Sequence, residues 1–193
     1  MKKYFLCLLA SFLVLVGCSS RSSEEKISTT VATTERVEET TQAITTTEEV
    51  VEKTEAYQYE ETVEGFKQTI KETLVYKGDK FTRIELHITQ EPDEATKASL
   101  AGLDYGLVRS QLLEYLEQQP FVQQLRAVPG LELATEVTQD YFIIMNIKID
   151  MSRIDLQALS NVEGVGTDFT ELATISPSAY ILGLKLKGAV QVQ

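Results

Sequence analysis

Phe81-Thr82-Arg83-Ile84-Glu85-Leu86-His87-Ile88 alternates apolar and polar residues, and it follows Ile70, Leu74 and Tyr76 across the break Lys77-Gly78-Asp79-Lys80. Side chains on a strand point to opposite faces in turn, so this spacing puts Ile84, Leu86 and Ile88 on one face and Arg83, Glu85, His87 and Thr89 on the other. Gly78 supplies the positive φ that a tight turn needs, which predicts a β-hairpin. Further on, Leu131, Leu133 and Val137 alternate, Gln139-Asp140 turns, and Tyr141, Ile143, Met145, Ile147 and Ile149 share a face of a second hairpin arm. Phe142 and Ile144 add apolar residues opposite, predicting cover on both sides of that strand end.

Helical patterns lie between and after the two hairpins. Pro92-Asp93-Glu94 suits a helix start and Gly102 its end, and a longer helix follows Asp104 with Val108, Leu112, Tyr115 and Leu116 on one stripe. Pro120 interrupts it, and Phe121, Val122 and Leu125 extend the pattern by a turn or two before Pro129-Gly130. Ser152-Arg153-Ile154-Asp155 fits a capping box for a short helix through Leu159. Ser176-Pro177 opens the last helix, with Tyr180, Ile181 and Leu184 inward, Lys185 and Lys187 at its negative end, and Gly188 as its cap. Strands, helices, strands and helices in that order predict an α+β domain: an antiparallel sheet of two hairpins with helices packed on it.

The N-terminus reads differently. Lys2 and Lys3 precede an apolar run from Phe5 to Val16, the length of a secretory signal and too short to span a membrane comfortably. Leu15-Val16-Gly17-Cys18 followed by Ser19-Ser20 resembles the lipobox of bacterial lipoprotein precursors. That resemblance implies a signal peptide over 1–17, a diacylglyceryl group on the Cys18 sulfur, cleavage just before Cys18, and a chain held on the extracytoplasmic face of the cell membrane. Two or three acyl chains, at about 0.8 kcal/mol per buried methylene, hold far better than one. Cys7 would leave with the signal and Cys18 would carry the lipid, so the mature chain would have no cysteine for a disulfide.

The formal net charge is -11, and loss of Lys2 and Lys3 would make it about -13, a surface that repels phosphate backbones and excludes nucleic acid as a partner. From Ser19 to Ala56 the chain is rich in Thr, Ser, Glu and Val, without aromatic residues, Gly or Pro. It has too little apolar surface to offset ordering entropy, which predicts a disordered tether over 18–56. Val37, Ile44 and Val51 repeat every seven residues, but Thr or Glu fills the intervening positions that a coiled coil would need apolar. A flexible tether of roughly 38 residues averages about 35 Å end to end. Its Thr clusters suit O-linked sugars. The remaining stretch, 57–193, is about 137 residues, the size of one domain.

The run Tyr76-Lys77-Gly78-Asp79-Lys80, the lipobox, the strand Tyr141 to Ile149 leading into Ser152-Arg153-Ile154-Asp155-Leu156-Gln157-Ala158-Leu159, and the tail from Ile175-Ser176-Pro177 to Gly188 together resemble the YehR-like bacterial lipoproteins. The resemblance covers about Phe66 to Gln193 and implies a small lipid-anchored α+β domain of unknown function, with no catalytic residues to carry over. The long Thr/Glu tether departs from that pattern.

Candidate chemistry is sparse. His87, the one histidine, falls on the polar face of its strand, where a solvated residue is expected, and no second His or free Cys exists for a zinc site or a nucleophile pair. Glu91, Asp93 and Glu94 offer oxygens to Ca²⁺ or Mg²⁺, but their spacing lacks a calcium loop and a helix start explains them. Gly164-Val165-Gly166 lacks the third glycine of a phosphate loop. Asp150 and Asp155 form a possible acid/base pair, though a strand end and a helix cap account for them. The Val108, Leu112, Leu116 stripe suits core packing more than a partner groove.

No catalytic, cofactor or metal residue is therefore assigned, and the one modification site is Cys18. Two functions remain: a non-catalytic domain that binds a protein, peptide or envelope component, or a small envelope enzyme using carboxylate acid/base chemistry. Convergent acids with raised pKa values in a concave pocket would favour the enzyme. A transport receptor ranks last, because one domain of this size is small for a two-lobed cleft.

Overall fold

A computed structural model describes residues 51–63, 65–162 and 169–193. The signal segment, Cys18, nearly all of the tether and Gly164-Val165-Gly166 lie outside these residues. In chain order the elements are β1 (Glu52–Val63), β2 (Phe66–Lys77), β3 (Lys80–Gln90), α1 (Glu94–Leu100), α2 (Tyr105–Glu117), α3 (Pro120–Ala127), β4 (Leu131–Val137), β5 (Ile143–Asp150), α4 (Leu156–Ser160), a 3-10 turn (Phe169–Ala173), α5 (Pro177–Leu186) and β6 (Val190–Val192). The strands form one antiparallel sheet in the order β4-β5-β3-β2-β1-β6. Both expected hairpins are present, and β3 pairs with β5 to join them.

Most of the buried strand residues project from one face. Tyr57 and Tyr59 of β1, Ile70 and Leu74 of β2, Ile84, Leu86 and Ile88 of β3, Met145, Ile147 and Ile149 of β5, and Leu131 and Leu133 of β4 meet Phe121, Val122 and Leu125 of α3 and Tyr180, Ile181 and Leu184 of α5. Of the expected α2 stripe, Val108 and Leu116 are buried, Leu112 is half-buried and Tyr115 is exposed. The stripe thus serves the core at its ends. Pro120 occupies the first turn of α3, where its missing N–H costs nothing.

Four local expectations are corrected. The tether was expected to run through Ala56, yet β1 begins at Glu52 and pairs with β2 along all of its 12 residues. Only Tyr57 and Tyr59 are large and apolar on its inner face, where Glu55 and Glu61 also stand, so alternation hides the strand. Tyr141 was placed in β5 but sits in the preceding turn at φ 61, its ring 5.9 Å from that of Tyr105. Ser152 does not cap α4; Asp155 does, accepting from Ala158 N at 2.9 Å, while Ser152 N and Oγ donate to Asp150 Oδ1. Phe142 and Ile144 are half-buried on the face opposite the core, so that strand end is covered only in part on its second side.

The β4 edge is sealed by side chains. Arg126 Nη1 donates to Leu133 O at 2.6 Å and Tyr105 OH donates to Val137 O at 2.9 Å. Glu117 holds Arg126 with bonds of 2.9 and 2.6 Å and accepts from Thr135 Oγ1 at 3.0 Å. Free strand carbonyls invite another chain to pair, and these bonds occupy two of them.

Candidate functional site

Two places concentrate polar side chains. The first is the open face of the sheet. Antiparallel register places Gln58, Lys71, His87, Asn146 and Ala134 in one row across β1, β2, β3, β5 and β4. The next row reads Ala56, Thr73, Glu85, Lys148 and Glu132. Neighbouring strands lie about 4.8 Å apart, so a row presents hydrogen-bonding groups at that interval. A trough of about 800 Å³ opens over Lys71, Thr73, Glu85, His87, Asn146 and Lys148.

His87 is exposed at its centre, as strand alternation predicts. Its Nδ1 lies 2.7 Å from Asn146 Oδ1 and its Nε2 3.3 Å from Thr89 Oγ1. Asn146 offers a carbonyl oxygen to Nδ1, and Thr89 a hydroxyl to Nε2, so both ring nitrogens have a polar partner. The acids nearby are matched by cations: Arg83 Nε is 2.7 Å from Glu85 and Lys148 Nζ is 3.7 Å from Glu132. Lys71 Nζ donates to Gln193 O at 3.0 Å. The open face therefore combines hydrogen-bonding groups with acids that are already paired.

The second place lies inside the fold. Glu72 stands on the core face of β2 between Ile70 and Leu74 and is 1% exposed. Tyr59 OH donates to its Oε1 and Tyr180 OH to its Oε2, each at 3.0 Å. Burial disfavours the charged form and pushes the carboxyl up to about 7, although both phenols and the Lys187 charge pull the other way. Burial also holds the Tyr59 and Tyr180 phenols well above their ordinary range. One row along, Glu55 accepts from Tyr57 OH and Tyr76 OH at 2.5 Å, bonds that hold it below the usual carboxylate range, and burial pushes Tyr57 up to about 12. Lys185 and Lys187 lie 5.6 and 6.0 Å over the rings of Tyr57 and Tyr59. This polar seam runs beneath α5. Buried Gln68 and Gln90 extend it, with Gln68 Nε2 3.5 Å from Gln90 Oε1.

The other candidates are dispersed. Glu91 and Glu94 both bind Lys97 Nζ, at 2.8 and 2.9 Å, and Asp93 caps α1 through Thr96 N at 2.6 Å. Among the described residues no group of three or more His, Cys, Asp or Glu is placed to hold a metal ion. Asp150 binds Ser152, whose bonds hold its carboxyl low, and Asp155 caps α4. The two do not act on a shared site. Among the described residues Glu72 is the acid whose value is raised, and it lines neither the trough nor the cavity beside the start of α5. Sequence reasoning missed it, and the signal was there: a glutamate at an inward position of an alternating strand needs partners.

Among the described residues no helix is long and apolar enough to cross a membrane. No curated protein matches the chain. Two solved structures are similar. One is the NMR structure of a protein from Streptococcus pneumoniae TIGR4, 18% identical with a TM-score of 0.60, the match covering 91% of this chain and 100% of that one. The other is the NMR structure of the E. coli YehR protein, 24% identical with a TM-score of 0.46, covering 73% of this chain and 92% of that one. The likeness to the first supports the fold. A family model matches residues 67–184, more than half of the chain, from β2 through β5 and into α5, and the chain belongs to the YehR-like family.

Proposed function

We propose that this protein is a lipoprotein anchored through Cys18 outside the cell membrane, and that its domain binds a protein, peptide or envelope component on the open face of its sheet. The supporting observation is the row Lys71, His87 and Asn146 in a trough whose acids are each matched by a cation. Catalysis by carboxylates needs an acid that meets substrate, whereas the raised acid is enclosed beneath α5. The stretch ahead of β1, ending at Val51, would serve as the tether, and the acidic chain favours a basic or neutral partner.

Photo-crosslinking on intact cells tests this, with a reactive residue at Ala134 beside the trough. A discrete adduct that Lys71→Glu and Lys148→Glu abolish is the expected result. An adduct unchanged by both would overturn the site. Cys18→Ala is expected to block processing and release the protein from the membrane fraction; normal lipid labelling of that variant would refute the anchor. Turnover in a hydrolase screen that Glu72→Gln removes would replace binding with enzymatic function.

A further inference from the structure

We propose that α5 and β6 form a pH-responsive latch, closed on the sheet while Glu72 is protonated and loosened when Glu72 ionises. The geometry comes first. Glu72 joins three elements, taking Tyr59 from β1 and Tyr180 from α5 through its two oxygens. α5 packs on one side only: Tyr180, Ile181 and Leu184 are buried, while Leu182 and Leu186 are 58% and 80% exposed. β6 adds three paired residues against Ala56, Tyr57 and Gln58, after a turn at Gly188 with φ 90. A helix held on one side and a three-residue strand form a unit that can open without the rest of the sheet.

The groups facing Glu72 set the sign. From β1 these are Tyr57, its cross-strand partner, with Tyr59 and, one pair further, Glu61; from α5 they are Tyr180, with Lys187 at the helix end and Lys185 over Tyr57. On the other side its strand partner is Leu86, which offers no charge. Lys187 attracts the ionised form, Glu61 repels it, and burial outweighs both. Opening α5 removes Tyr180 from over the carboxyl and lets water reach it, so the open form binds protons at an ordinary carboxyl value near 4.5 and the closed form at about 7. Closed protein thus holds the proton more tightly, and rising pH favours opening across that interval. The loosened state uncovers Tyr57, Ile181 and Leu184 as well as the β1 edge.

Amide hydrogen exchange on the full chain at about pH 5 and about pH 8, corrected for intrinsic rates, is the test. Opening of α5 and β6 is expected to increase on the order of 50- to 100-fold, below the ceiling set by the two proton affinities. The amides of β3 and β5 should change much less. Glu72→Gln should flatten the response. Tyr180→Phe removes one donor to the carboxylate and should move the midpoint to higher pH, which a carbon-13 titration of the Glu72 carboxyl reads independently of exchange. Equal pH dependence in α5 and β5, a Glu72→Gln chain that keeps the response, or a carboxyl that titrates near 4.5 in the closed protein would overturn the latch.

Discussion

Replacing Gly130 with alanine probes how firmly the turn after α3 is seated on the turn after β5. Gly130 has φ 82, and a methyl built on it would fall on Ile154 N, 2.5 Å from Arg153 C and 2.6 Å from Ile154 Cα. All three atoms are backbone, so no side chain can swing away. The contact is locked by Asp150 N donating to Gly130 O at 2.9 Å and Asp155 N donating to Pro129 O at 3.0 Å. A non-glycine residue at positive φ costs about 1–2 kcal/mol. Separating the two turns enough to admit a methyl weakens both bonds, at about 1 kcal/mol each. The sum is a loss of about 3–4 kcal/mol, large for one methyl group. Gly102→Ala is the control, since Gly102 has φ 83 with nothing within 4 Å of the added carbon and should show the conformational cost alone. Urea unfolding followed by circular dichroism measures both. The midpoint of Gly130→Ala should fall well below that of Gly102→Ala at similar slope. Losses equal within about 0.5 kcal/mol would refute the close-contact argument.

Global stability should also follow Glu72. Its folded value is raised to about 7 from 4.5, so its contribution is most favourable below pH 4.5, declines through that window and levels off above 7, by about 3 kcal/mol at most. Thermal melts across that range should show the decline, and Glu72→Gln should remove it. Arg126→Ala bares the Leu133 carbonyl on the β4 edge and releases Glu117, which predicts a loss of about 1–2 kcal/mol and concentration-dependent association in size-exclusion chromatography. A chain starting at Val51 should melt like the full protein. One starting at Tyr57 loses Glu55 and the Glu52 to Ala56 half of a strand, and its midpoint should drop by several degrees.

The two hairpins, α2, α3 and α5 were legible because each carries a local signature: alternation around Gly78, alternation around Gln139-Asp140, the stripe from Val108 to Leu116 after Asp104, Pro120 breaking that helix from the turns that follow, and Ser176-Pro177 before an amphipathic run. β1 was not. Its Glu55 and Glu61 face inward, and a strand with acids on its core side looks like the polar segment before it. Glu55 is accommodated by phenols on Tyr57 and on Tyr76 from the next strand, a pairing that sequence distance conceals.

The candidate site divides the same way. Strand periodicity alone put His87 on the solvent face, because a period of two needs no knowledge of neighbours. That Asn146 would hold its ring, and that Lys71 and Lys148 would share its trough, depended on β3 pairing with both β2 and β5 in one register. By itself the sequence determined the α+β class, the local turns and caps, and the lipobox-like segment, since all of these rest on residues within a few positions of one another. Only the tertiary structure decided which strand joined which, and therefore that Tyr59 and Tyr180, 13 and 108 residues from Glu72, would enclose it. A carboxyl's environment is set by whatever long-range contacts exclude water from it, and that exclusion exists only once the chain has folded.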